Sequence, residues 1–119
     1  MDSQAVEKLF CLISDLYEAL PRMDLYQSGK HDRQLKAHFY FLGGTEVQYV
    51  DLLKAMAGMS LIEHQWHRNG HDVDLISRWG VYFRRAALEL ASLLDADVSV
   101  VSSQLALGGL YFPKEAPHG

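Results

Sequence analysis

Cysteine is almost missing from this chain, with Cys11 alone among 119 residues. A single thiol excludes an intramolecular disulfide and a four-cysteine zinc site, and it suits a reducing compartment. A surplus of basic residues is missing too. Eleven lysines and arginines stand against fifteen acids, a formal net charge of −4. A nucleic-acid footprint would need its cations gathered on one face to overcome that balance. No apolar run approaches the eighteen or so residues of a membrane span. The opening MDSQAVEKLF has acids before its apolar residues and no small-residue cleavage pattern, unlike a secretory signal. The expectation is a cytoplasmic protein without membrane contact and without direct contact to nucleic acid.

Catalytic signatures are equally scarce. There is no G-x-S-x-G elbow, and Ser102-Ser103 has no paired His and Asp in sequence context. The glycine pairs Gly43-Gly44 and Gly108-Gly109 lack the following Lys-Ser/Thr of a phosphate loop and the G-x-G-x-x-G of a dinucleotide turn, so they read as punctuation. Cys11 lies among Phe10, Leu12 and Ile13 beside an apolar stripe and reads as a buried, inert thiol. No enzyme activity and no cofactor are expected.

What is present is a globular composition, 49% hydrophobic and 22% charged, at the size of one domain. Val6, Leu9, Phe10, Ile13, Leu16, Tyr17 and Leu20 recur at helical spacing over residues 3–20, and Pro21 ends the run. Residues 21–34 are polar and read as a loop or a short helical turn. In LKAHFYFLGG, Leu35, Ala37, Phe39 and Phe41 alternate with polar partners. That predicts a short strand over 36–41, although Leu35, Phe39 and Leu42 also share a helical face stopped by Gly43.

Thr45 and Gln48 form a capping-box pattern that opens a helix bearing Val47, Val50, Leu53, Met56, Ala57, Ile62 and Trp66. Asn69-Gly70 ends it. Asp72 or Asp74 starts a third helix with Ile76, Trp79, Phe83, Ala87, Leu90 and Leu94 on one stripe, and Asp97 starts a shorter one that stops at Gly108-Gly109. The fold class is mainly α. We expect a single small helical domain of about four helices over 1–112, with the short strand at 36–41 and a disordered tail at 113–119.

The densest chemistry is IEHQWHRNGH, residues 62–71. On a continuous helix, His64, His67 and His71 fall within about 60° of one another, and three imidazoles with water can hold zinc. Glu63 precedes the histidines instead of standing between them, unlike the H-E-x-x-H metalloprotease motif. Asn69-Gly70 unwinds the helix before His71. The plainer reading is a helix C-terminus whose His and Arg side chains meet the negative end of the macrodipole. Metal binding by these three histidines is kept as the alternative function.

Aromatic residues and arginines point elsewhere. Phe39, Tyr40 and Phe41 form one cluster, Leu110, Tyr111 and Phe112 another, and Arg84 and Arg85 suit an interface anchor. The second cluster follows the last helix, so it either folds back on the core or meets another chain. The candidate protein-binding residues are therefore Phe39, Phe41, Arg84, Arg85, Leu110, Tyr111 and Phe112.

Size, acidity, helical order and the run from Leu75 through RWGVYFRRAALELASLLDADV to LALGGLYFP resemble the small bacterial quorum-sensing antiactivators of the QslA type. The resemblance implies a homodimer without catalytic residues. It also implies a partner, the ligand-binding domain of a LuxR-type transcription factor, which would be kept off DNA by occupation of its dimerisation surface.

Overall fold

A computed structural model describes residues 3–20, 25–70 and 72–107, and these form five α-helices with no strand. They are α1 (Ser3–Ala19), α2 (Leu25–Phe41), α3 (Glu46–Asn69), α4 (Val73–Leu94) and α5 (Val98–Leu107). The mainly α expectation holds. The domain limit at 112 and the tail 113–119 lie outside the described residues.

The strand expected over 36–41 is a helix instead. The decisive feature is its end, where Gly44 N–H donates to Phe39 O (3.0 Å) and Gly43 N–H to Tyr40 O (2.9 Å). Gly43 sits at φ +94°, so the pair of bonds forms a Schellman cap. Gly44 has no room for a side chain, because a Cβ there would lie 2.2 Å from the Phe39 ring. Leu35 and Phe39, four residues apart, are both fully buried while Ala37 and Phe41, which alternation would put beside them, are exposed, as a helical face requires. The same helix absorbs residues 25–34, expected as a loop or a single turn.

The remaining boundaries follow their capping residues. Thr45 Oγ1 accepts from Gln48 N–H at 3.2 Å, and Gln48 Oε1 accepts from Thr45 N–H at 3.0 Å, closing the capping box of α3. Gly70 at φ +86° ends α3, and Asp72 caps α4 by accepting from Asp74 N–H at 2.9 Å. Asp97 caps α5 through Ser99 N–H at 2.8 Å. The Ser99 hydroxyl, which also donates to Asp97 Oδ1 at 2.5 Å, and then the Ser99 N–H hold the Asp97 carboxyl below its usual range.

α4 packs along α3, and this pair makes the most extensive helix packing among the described residues. Ala55, Ala86, Ala87 and Ala91 are all buried, so the backbones approach closely. Gly58 shows how closely, since a Cβ there would meet the Tyr82 ring at 2.8 Å. α1 packs on α2, and α5 turns back on α4 across a 114° bend. The core joins Leu9, Ile13 and Leu16 of α1 to Leu52, Met56 and Met59 of α3 and Leu90 of α4. No single helix among the described residues is long and apolar enough to cross a membrane.

Candidate functional site

The histidine-rich end of α3 carries the densest set of potential metal ligands in the sequence. His64 and His67 are both exposed, His71 lies outside the described residues, and no group of three potential metal ligands occurs among the described residues. Glu63 from the same stretch has a different job. It is half-buried and accepts a hydrogen bond from the hydroxyl of Tyr17 in α1. Burial raises the Tyr17 pKa and the Glu63 bond raises it further, so the phenol stays neutral and donates. Glu63 therefore ties α1 to α3.

The aromatic cluster of α2 divides in two. Phe39 is fully buried and packs edge-on against Tyr49 with ring centroids 5.5 Å apart, so it is core and not a partner contact. Tyr49 in turn donates to Asp32 Oδ1 at 2.6 Å, joining α3 to α2. Phe41 is 77% exposed and stacks on His38, at 5.8 Å between centroids. Val47, in the first turn of α3, is 72% exposed. His38 is itself fixed, its Nε2 donating to Ala5 O at 2.7 Å.

The most organised surface runs along α4. Val81 and Leu88 are 61% and 46% exposed, and at a spacing of seven they lie one above the other on the outer face. Arg84 and Arg85, both exposed, fall on either side of that line by helical rotation. Neither arginine forms an ion pair among the described residues, whereas Arg78, nearly two turns earlier, is bound to Asp74 at 2.5 Å. An apolar ridge flanked by two guanidinium groups is what a protein interface uses, because the aliphatic stems extend the apolar area while the heads find carboxylates. Glu89 borders the ridge. Burial raises its pKa, and the Asp51 carboxylate adds to the effect.

No family model matches the chain, and no curated protein or solved structure gives a significant match. The site is therefore read from its own geometry. Of the residues expected to bind protein, Arg84, Arg85 and Phe41 are at the surface, Phe39 is in the core, and Leu110, Tyr111 and Phe112 lie outside the described residues. The structure does not bring Phe41 and the arginines onto one helix face, since they belong to α2 and α4.

Val81 and Leu88 were missed. The expected stripe of α4 held Ile76 and Phe83, but the buried set is Leu75, Trp79, Ala86, Ala87, Leu90 and Ala91, and Ile76 is 43% exposed. Apolar residues left off a stripe are the signal that marks such a ridge. Cys11 also departs from expectation, being exposed. It stands two residues from both Leu9 and Ile13, which turns it to the opposite side of α1 from those fully buried side chains.

Proposed function

We propose that this chain is a non-enzymatic regulatory protein of the quorum-sensing antiactivator kind. In this reading it binds the ligand-binding domain of a LuxR-type transcriptional activator and blocks the activator's dimerisation and DNA binding. The observation that carries the reading is the α4 ridge, with Val81 and Leu88 exposed between Arg84 and Arg85. The likeness of the α4–α5 sequence to QslA-type antiactivators supplies the partner class.

The physical requirement is competition. The ridge and its surroundings must bury enough surface, about 1,000 Å² or more, to outweigh the activator's own self-association. Arginine heads discriminate among partners while the apolar line supplies affinity. The chain acts as a homodimer in this proposal, and the exposed Phe41 and Val47, on α2 and α3, are apolar contacts on helices other than the one that carries the ridge.

The test is release of a LuxR-type activator from its DNA by the purified chain. Wild-type protein should release it, and Arg85→Glu or Leu88→Glu should raise the concentration required by roughly thirtyfold, the equivalent of about 2 kcal/mol at an interface anchor. Both variants should keep wild-type helicity and cooperative melting, because neither side chain is in the core. If wild-type protein releases no activator, the function is wrong. If the variants release it as well as wild type, the interface is misplaced.

A further inference from the structure

A groove of about 850 Å³ lies between α1 and α5, and helical spacing explains its form. Along α1, Val6, Phe10 and Ser14 recur every four residues and are half-buried, so they make the inner wall. Glu7, Cys11 and Asp15 follow at the same interval one residue later, and all three are exposed, so they make the rim. The α5 side is apolar for an open face, with Val100 54% and Leu107 83% exposed. No lysine, arginine or histidine stands among the described residues of the lining. Neither Glu7 nor Asp15 forms an ion pair among the described residues. The groove therefore has one apolar edge and one edge bearing two unpaired carboxylates, about 12 Å apart along the helix axis.

We propose that this groove binds a small amphipathic cation, an apolar body carrying an ammonium group. Charge complementarity sets the sign. The apolar body gains free energy in proportion to the area it removes from water, and the ammonium neutralises a rim carboxylate that the chain leaves unpaired. An anion of the same shape meets both carboxylates unfavourably. Volume sets the size, since pockets for drug-sized molecules enclose about 300–1,000 Å³. A partner helix is about 10–12 Å across, so three turns of it fill about 1,300 Å³ or more, beyond what the groove encloses. The site uses α1 and α5 and none of the α4 ridge, so it stands or falls apart from activator binding.

The probes are n-octyltrimethylammonium, 1-octanol and octanoate at pH 7, below any micelle concentration, which share one apolar chain and differ in charge. Binding to the full-length chain is measured by calorimetry and by the rate of N-ethylmaleimide addition to Cys11. That residue is the only thiol and stands on the rim between the two carboxylates. Octyltrimethylammonium should bind one-to-one and slow the labelling in proportion to occupancy. Its affinity should exceed that of 1-octanol by about fivefold, the upper range for an ion pair bordered by solvent. Octanoate should bind more weakly than the alcohol. Glu7→Gln combined with Asp15→Asn should erase this order, leave the affinity for 1-octanol unchanged and keep wild-type circular dichroism, because both side chains are exposed. Leu107→Ser should weaken all three probes alike. The proposal fails if the cation neither binds nor protects Cys11, if the three probes bind equally, or if the double variant keeps the preference for the cation. Protection of Cys11 that grows with protein concentration and without any probe also overturns it, because the occupant is then a second copy.

Discussion

At the scale of single residues, polar groups between helices decide more here than exposed charges do. Tyr17 illustrates it, buried at 7% exposure with its hydroxyl on Glu63. Replacing it by phenylalanine keeps the ring packing and strands a half-buried carboxylate. Tyr17→Phe should therefore lower stability by about 1–2 kcal/mol in denaturant melts, more than the loss of an exposed pair such as Arg78–Asp74. Sequence alone could place Tyr17 on the apolar stripe, but the partner is forty-six residues away and left no local mark. Glu63 was conspicuous only for its histidine neighbours. Cys11 was legible in principle, since two-residue offsets from Leu9 and Ile13 turn a helical side chain outward. Its apolar neighbours obscured that geometry.

At the scale of elements, periodicity located α1, α3, α4 and α5, and capping residues fixed their ends. Thr45, Gln48, Gly70, Asp72 and Asp97 all act where their chemistry suggested. α2 escaped because its apolar pattern is weak and its last residues, Phe39-Tyr40-Phe41, favour strands as isolated side chains. Tertiary burial of Leu35 and Phe39 on one face overrides that preference. Gly58 carries another lesson about elements. A glycine inside a helix ordinarily costs about 1 kcal/mol relative to alanine. Here the Tyr82 ring occupies the space a methyl group would take. Gly58→Ala should consequently destabilise the protein, by about 1–2 kcal/mol, where an open helical site would gain. Thermal melts read by circular dichroism give the sign, and a stabilised variant would mean that the α3–α4 contact is looser than described.

At the scale of the whole molecule, the helices are held unequally. α3 and α4 share the longest packed seam, while α5 adds only Val101 and Leu105 to the fully buried set. Amide hydrogen exchange should therefore show the central turns of α3 and α4 as the slowest, with α5 opening earlier and at lower free energy. Uniform exchange across all five helices would contradict that order. None of this hierarchy was readable from the sequence, because helical periodicity tells which face is apolar and not which other face it meets. For the same reason the α1–α5 groove and the α4 ridge appeared only once the helices were assembled. The first is walled in part by Val6 and Phe10, which a stripe-based reading absorbed into the core, and the second carries Val81 and Leu88, which it passed over.

The two tryptophans of the chain, Trp66 and Trp79, sit at 7% and 8% exposure on α3 and α4, and Trp79 stacks on Phe83 at 4.9 Å. Indole emission is therefore confined to one seam of the protein. A fluorescence-monitored unfolding curve would follow the parting of that seam and be nearly blind to earlier loss of α5, while far-ultraviolet ellipticity counts every helical turn. The separation between the two curves would thus act as a built-in gauge of how tightly the last helix is coupled to the rest.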